Sequence, residues 1–172
     1  MNKAEIWELF SLEGRVAIIT GGAGKLGIRH AEILNAAGAH VVSFDVVKND
    51  HLNRIAEQKV VDITKRADVF KAIDEVVVQY GQVDILINNA AFNPKVGSDA
   101  DTTGDECWNP HEQYPEKLWR MEFDIGLNGA FFCTQAVARH MIKENRGCVI
   151  NIASTSAITA PDHRKYKPGR FK

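Results

Sequence analysis

The stretch from Ile18 to Gly27, with glycines at 21, 22, 24 and 27, constrains this chain more than any other. An apolar run, Val16 to Ile19, enters the glycine cluster and emerges in a helical pattern, so a buried strand passes through a tight turn into a helix N-terminus. Glycines there let the main chain approach a bound group closely, and the free N–H groups and positive dipole end of the helix favour an anion such as a pyrophosphate. A phosphate-transfer loop of the form Gly-x-x-x-x-Gly-Lys-Ser/Thr is excluded: Leu26 follows Gly24-Lys25, and Ile19 stands where the first glycine belongs. Glycine clusters also occur at ordinary strand-to-helix turns, so the remainder of the chain has to decide between a dinucleotide site and a plain turn.

That remainder alternates strand and helix. Leu26 to Ala37 carries a helical apolar stripe that Gly38 stops, and Ala39 to Asp45 reads as a second strand. Asp45 lies about 20 residues past the glycine cluster, where an acidic residue accepts hydrogen bonds from adenosine ribose hydroxyls and repels a 2′-phosphate. A turn or helix-cap role is the alternative for it. Val46 and Val47 follow where a phosphate-binding site would place an arginine, so NAD is favoured over NADP, although Lys25 could reach a phosphate. Lys59 to Ile63 reads as a third strand. Thr64 is expected to cap an amphipathic helix from Lys65 to Tyr80, with Val69, Ile73, Val76 and Val77 inward and Gly81 closing it.

A fourth strand, Val83 to Asn88, runs into Asn89-Ala90-Ala91, and a long connection follows from Phe92 to Tyr114. Pro115 opens a helical pattern through Trp119, Phe123, Leu127, Phe131, Val137 and Met141, interrupted by Gly126 and Gly129. Cys148 to Ala153 is the fifth strand, and Ser154 follows it at the strand end where open α/β sheets bind ligands. Residues 1–14 read as a lead-in covering one edge. The whole predicts one α/β domain over residues 1–172, a Rossmann-like doubly wound parallel sheet.

Composition removes several function classes. The 21 basic and 22 acidic residues nearly cancel, so no long-range field favours nucleic acid or an anionic membrane. Cys107, Cys133 and Cys148 are odd in number and lack metal-ligand spacing, which fits a reduced cytoplasmic setting with no metal site. The N-terminus has no signal-peptide core, and no stretch reaches transmembrane length.

Taken together the motifs resemble the short-chain dehydrogenase/reductase family over nearly the whole length. Thr20, Gly21 and Gly27 match its Thr-Gly-x-x-x-Gly-x-Gly motif, with Lys25 in the middle glycine's place and Gly24 one position earlier. Asp45 matches the acidic residue of NAD-preferring members, and Asp62, followed by Ile63, matches the aspartate that contacts adenine. Asn89-Ala90-Ala91 matches the Asn-Asn-Ala-Gly motif, and Ser154 the catalytic serine that hydrogen-bonds the reacting oxygen. The resemblance implies an NAD(P)-dependent oxidoreductase passing a hydride between nicotinamide and an alcohol or carbonyl substrate. It places Gly21, Gly24, Lys25, Leu26 and Gly27 against the cofactor.

There are departures. Gly126 stands where the family carries an asparagine supporting a proton-relay water. The acid/base pair is a tyrosine with a lysine four residues on, whereas Tyr166 is followed by Arg170, and Pro168-Gly169 would break the helix that should carry them. The expectation is therefore a chain that stops early, before that helix and two further strands, with little or no turnover by itself. A dimer or tetramer is expected of the longer protein. A dinucleotide-binding module without catalysis is the competing reading, and another Rossmann-like enzyme such as a methyltransferase is a third.

Overall fold

The computed structural model describes residues 2–92, 111–155 and 158–159. Lys3–Glu8 forms α1, Val16–Thr20 β1, Lys25–Ala36 α2, His40–Asp45 β2, Glu57–Val60 β3, Arg66–Tyr80 α3 and Ile85–Asn88 β4. Glu116–Phe123 is α4, Asp124–Gly129 a π-helical turn, Ala130–Lys143 α5 and Cys148–Asn151 β5. The strands form one parallel sheet in the order β3-β2-β1-β4-β5. Strand order reverses between β1 and β4, the switch point at which such sheets open a crevice beyond the strand C-termini.

All five residues of β1 are buried, because the sheet is covered on both faces. Its alternate side chains serve different cores. Ala17 and Ile19 pack with Ala31 of α2 and with Leu52, while Val16 and Ile18 face Val69 and Ile73 of α3 and Val137 of α5. Helices on both faces of a parallel sheet make the doubly wound Rossmann arrangement expected from the alternation. Gly38 and Gly81 end α2 and α3 in the left-handed region, at φ +99° and +78°.

Several local expectations are corrected. β3 runs from Glu57 to Val60, not from Lys59 to Ile63: Val42 pairs with Glu57 and Asp45 with Val60, so the ladder ends where β2 ends. As an edge strand it tolerates Glu57, Gln58 and Lys59, a polar run that periodicity does not identify as β. Thr64 does not cap α3. Its hydroxyl and main-chain N–H both donate to Asp62 Oδ1, at 2.7 and 3.1 Å, and the N-cap is Lys65 with no side-chain cap bond. An Asx turn has taken the cap's place.

The pattern from Pro115 is helical throughout its described length, but it widens into a π turn where Gly126 and Gly129 weaken it, and its first half is not a core stripe. Trp119, Phe123, Leu127 and Phe131 are exposed, whereas Val137 and Met141 are buried. The lead-in covers less than expected. Trp7, Leu9 and Phe10 are exposed, and Leu12 alone of this group packs on the sheet's core, its N–H bonding the Ala37 carbonyl at 2.7 Å.

Candidate functional site: a cleft at the switch point

Beyond the C-terminal ends of β1, β2 and β4 lies an open cleft of about 550 Å³, lined by Gly21, Gly24, Lys25, Leu26, Asp45, Val46, Val61, Asp62, Ile63, Asn89, Ala90, Ala91, Phe92 and Ile125. Every residue the sequence pattern assigned to a cofactor lines it except Gly27, which lies beneath. Gly27 is buried in the first turn of α2, and a Cβ there would stand 2.2 Å from the Gly21 carbonyl oxygen and 2.6 Å from Gly22 Cα. The helix therefore seats directly on the turn. Gly21, at φ +63°, closely meets the segment that follows β4, since its Cβ would lie 2.8 Å from Ala90 Cα. Gly24 is the N-cap of α2 and contributes no side-chain cap, so the helix begins at an exposed Lys25 with its first N–H groups facing the cleft mouth.

β1 and β4 are tied together at this end by Thr20. Its buried Oγ1 accepts from the main-chain N–H groups of Asn89 and Ala90, both at 3.1 Å. Asn89 answers through its side chain, donating Nδ2 to the carbonyls of Thr20 and Gly21 at 3.0 and 3.1 Å. Its amide hydrogens are thus committed to the sheet, and Asn89 shapes the cleft floor instead of offering a donor to a ligand.

Asp45 closes β2 facing the glycine turn. Oδ2 accepts from the Ala23 N–H at 3.0 Å and Oδ1 from Val47 at 3.3 Å. Asp45 therefore organises a turn, and the remaining lone pairs of its half-exposed carboxylate border the cleft. Asp62, two residues past β3, is held below its ordinary carboxyl range, first by the Thr64 hydroxyl, against the opposing effect of burial, with further help from Thr64 N–H and Lys65. It stays ionised and rigid.

Ser154 is exposed, three residues beyond the end of β5 on the same edge of the sheet, but it is not among the residues lining the cleft. A smaller chamber of about 110 Å³ adjoins, walled by Thr20, Ile63, Asn88, Ala90, Ala91, Ile125, Gly126, Ala130, Asn151 and Ile152. Asn88 Nδ2 donates to Thr134 Oγ1 at 3.1 Å and Asn151 Oδ1 at 2.8 Å, while its buried Oδ1 has no protein partner. Asn128, two positions past Gly126, donates to Asp124 Oδ1 at 2.8 Å. Tyr166 and Arg170 lie outside the described residues, as do Cys107 and residues 93–110 of the long connection. Burial pushes the Cys133 thiol up to about 12, which leaves it inert. Among the described residues no cluster of His, Cys, Asp or Glu could hold a metal ion, and no helix is long and apolar enough to cross a membrane. Sequence reasoning missed Ile125, Val46 and Val61 as cleft residues, since apolar lining carries no motif.

The geometry fits a dinucleotide. A glycine turn that no larger side chain could share with α2 opens onto a cleft that also holds two carboxylates, Asp45 at the end of β2 and Asp62 two residues past β3, and the cleft is large enough for an extended nucleotide.

Comparison with known proteins agrees. The model of the short chain dehydrogenase family matches residues 15–165. NAD-dependent glycerol dehydrogenase of Listeria innocua is 30% identical over 159 residues, covering 89% of this chain and 58% of that protein. Gluconate 5-dehydrogenase of Gluconobacter oxydans is 32% identical over 162 residues, covering 89% and 58%. Among solved structures, a gluconate 5-dehydrogenase from Burkholderia cenocepacia in complex with NADP and tartrate superposes with a TM-score of 0.75 at 32% identity, covering 91% of this chain and 60% of the other. An NAD+-bound xylitol dehydrogenase gives 0.73 at 27%, covering 87% and 56%. The chain thus spans less than two thirds of the length of these relatives.

Proposed function

The chain belongs to the short-chain dehydrogenase family, and on that premise we propose that it binds NAD(P) and serves an oxidoreductase that interconverts a small-molecule alcohol and its carbonyl. A nicotinamide bound at the Asn89-Ala90-Ala91 end supplies the hydride donor or acceptor. The chain's own residues bind and orient. The turn from Gly21 to Gly27, with Gly24, Lys25 and Leu26 at the mouth, holds the pyrophosphate through helix N–H groups and the lysine charge. Asp45 accepts from the adenosine ribose hydroxyls. Asp62 and Ile63 border the adenine, and Ser154 hydrogen-bonds the reacting oxygen. NAD is the preferred form, because Asp45 would face a 2′-phosphate with like charge and Val46 and Val47 offer no counter-charge. A single domain, a cytoplasmic setting, and a dimer or tetramer of the longer protein belong to the same reading.

The observation that carries it is the convergence of five separate sequence segments on one cleft, four of them bearing the motif residues. The test is equilibrium titration with NADH and NADPH. The chain is expected to bind NADH more tightly, and Asp45→Asn to weaken NADH while improving NADPH. Binding of neither dinucleotide, or of S-adenosylmethionine in their place, would overturn the assignment.

One observation favours a second reading, a binding module without turnover: Gly126 presents no side chain to the chamber, and the nearby Asn128 is engaged by Asp124. NADH formation over a panel of polyols separates the two, since sustained turnover excludes the module.

A further inference from the structure

The connection between β2 and β3 touches the glycine turn through one side chain. Asn49 is half-buried, and each of its polar groups has a defined partner. Its main-chain N–H donates to Gln58 Oε1 at 2.7 Å, its carbonyl accepts from Leu52 at 3.0 Å, and its Oδ1 accepts from His51 N–H at 3.0 Å, capping the short 3₁₀ turn Asp50–Arg54. Leu52 anchors that turn, fully buried in the core beneath α2. The group of Asn49 that reaches the glycine turn is Nδ2, which donates to the Ala23 carbonyl at 3.2 Å. Ala23 is the residue whose N–H holds Asp45 Oδ2. The two peptide planes flanking Ala23 are thus each held by one side chain, the first by Asp45 and the next by Asn49.

We propose that Asn49 is a positioning residue for cofactor selection: by holding the Ala23–Gly24 peptide it keeps the Ala23 N–H aimed at Asp45 and so fixes the carboxylate that reads the adenosine ribose. The inference rests on the dinucleotide reading above. It is not a contact to the ligand, because Asn49 does not line the cleft. The Gly24 N–H of the same peptide donates to the Gly21 carbonyl at 3.2 Å, so without the Nδ2 bond the Ala23–Gly24 peptide keeps one of its two holds, the Ala23 N–H is aimed less firmly at Asp45, and the preference for an unmodified ribose diol over a 2′-phosphate weakens. A cap role alone predicts something different, because Ser and Asp both serve well as N-caps but neither carries the amide donor.

The experiment compares wild type with Asn49→Ser and Asn49→Asp, which preserve the cap acceptor. NADH and NADPH are titrated against each, and the exchange rate of the Ala23 amide is followed by NMR without nucleotide. The loss of one hydrogen bond should lower the NADH over NADPH affinity ratio roughly three- to tenfold and accelerate Ala23 amide exchange by a similar factor, with the thermal midpoint near that of wild type. If wild type prefers NADH and both variants keep that ratio, Asn49 has no part in selection, whatever the amide does. If Ala23 exchange is unchanged in the nucleotide-free variants, the geometric link itself is refuted independently of any cofactor. Failure of wild type to bind either dinucleotide overturns the functional reading, and this inference with it.

Discussion

Replacing Gly27 by alanine sets two effects against each other. In an exposed helix interior the change would gain about 1 kcal/mol, because alanine loses less backbone freedom on folding than glycine. Here the new Cβ would lie 2.2 Å from the Gly21 carbonyl oxygen, 2.6 Å from Gly22 Cα and 2.8 Å from Gly22 C, where ordinary contact begins at 3.4 Å. All three atoms are main chain, so no side chain can swing aside. α2 has to retreat from the turn by roughly 1 Å, and overpacking of this kind costs about 1–3 kcal/mol. Three main-chain contacts under 3.0 Å put the clash in the upper part of that range, about 2–3 kcal/mol, so it outweighs the propensity gain and leaves a net loss of about 1–2 kcal/mol. For a domain of this size that lowers Tm by roughly 2–8 °C. The same retreat moves the helix N–H groups away from the pyrophosphate position, so NADH affinity should fall with stability. Thermal melts and NADH titration of Gly27→Ala measure both. Gly126→Ala is the internal control, because a Cβ there meets nothing within 4 Å, so the propensity gain is unopposed and the variant should melt at or above wild type, by up to roughly 4 °C. A Gly27→Ala variant that melts at or above wild type and binds NADH unchanged would refute the tight seating of α2 on the turn.

Other consequences can be tested alongside. Thr20→Val keeps the shape but leaves the Asn89 and Ala90 N–H groups without their acceptor; urea denaturation should show a loss of about 2–3 kcal/mol, and a loss below about 0.5 kcal/mol would mean the two strand ends are held by other means. Asp84, buried at the other end of β4, accepts from Val16 N–H at 2.9 Å, Gln82 at 2.8 Å and Arg15 at 3.0 Å. Asp84→Ala should cost about 2–3 kcal/mol in the same assay, chiefly through the stranded Val16 N–H, since Arg15 and Arg146 are half-exposed and remain hydrated. Tyr80, whose hydroxyl donates to Glu57 Oε2 at 2.7 Å, is pushed up to about 12, first by burial and then by that carboxylate. The unfolded phenol ionises near 10.0, so Tyr80's contribution is complete below that pH and is lost as pH rises from there to about 12. Tyr80→Phe should flatten this alkaline limb in melts taken between those values, and an unchanged limb would assign it to another group.

How much was legible in advance differs by element. β1, α2 and β2 were readable because a strand buried on both faces is an unbroken apolar run, and because glycine at 38 stops a helix by conformation alone. β3 was misplaced because its neighbour, not its side chains, sets its register: Glu57 to Lys59 pair along β2 despite a polar sequence. Thr64 was misread for a related reason. A hydroxyl before a helix is equally suited to capping and to an Asx partner, and the position of Asp62 decides which forms. The stripe from Trp119 to Phe131 shows the limit of periodicity, which finds an apolar face without saying what covers it.

At the site, the residue types were set by sequence, since each carries local chemistry: glycine for close approach, aspartate as a hydrogen-bond acceptor at a strand end, asparagine as both donor and acceptor. Their meeting in one cleft was not. It depends on β1 lying between β2 and β4, which brings Asp45 and Asn89, 44 positions apart in number, to either side of the same turn. Tertiary structure also decided what those side chains have left to offer a ligand. Asn89's amide is taken up by two carbonyls, and Asp45 is steered by Ala23, whose carbonyl Asn49 holds. Hydrogen bonds between segments distant in sequence leave no periodic trace, so composition and spacing name the donors and acceptors while the packed sheet determines which of them meet.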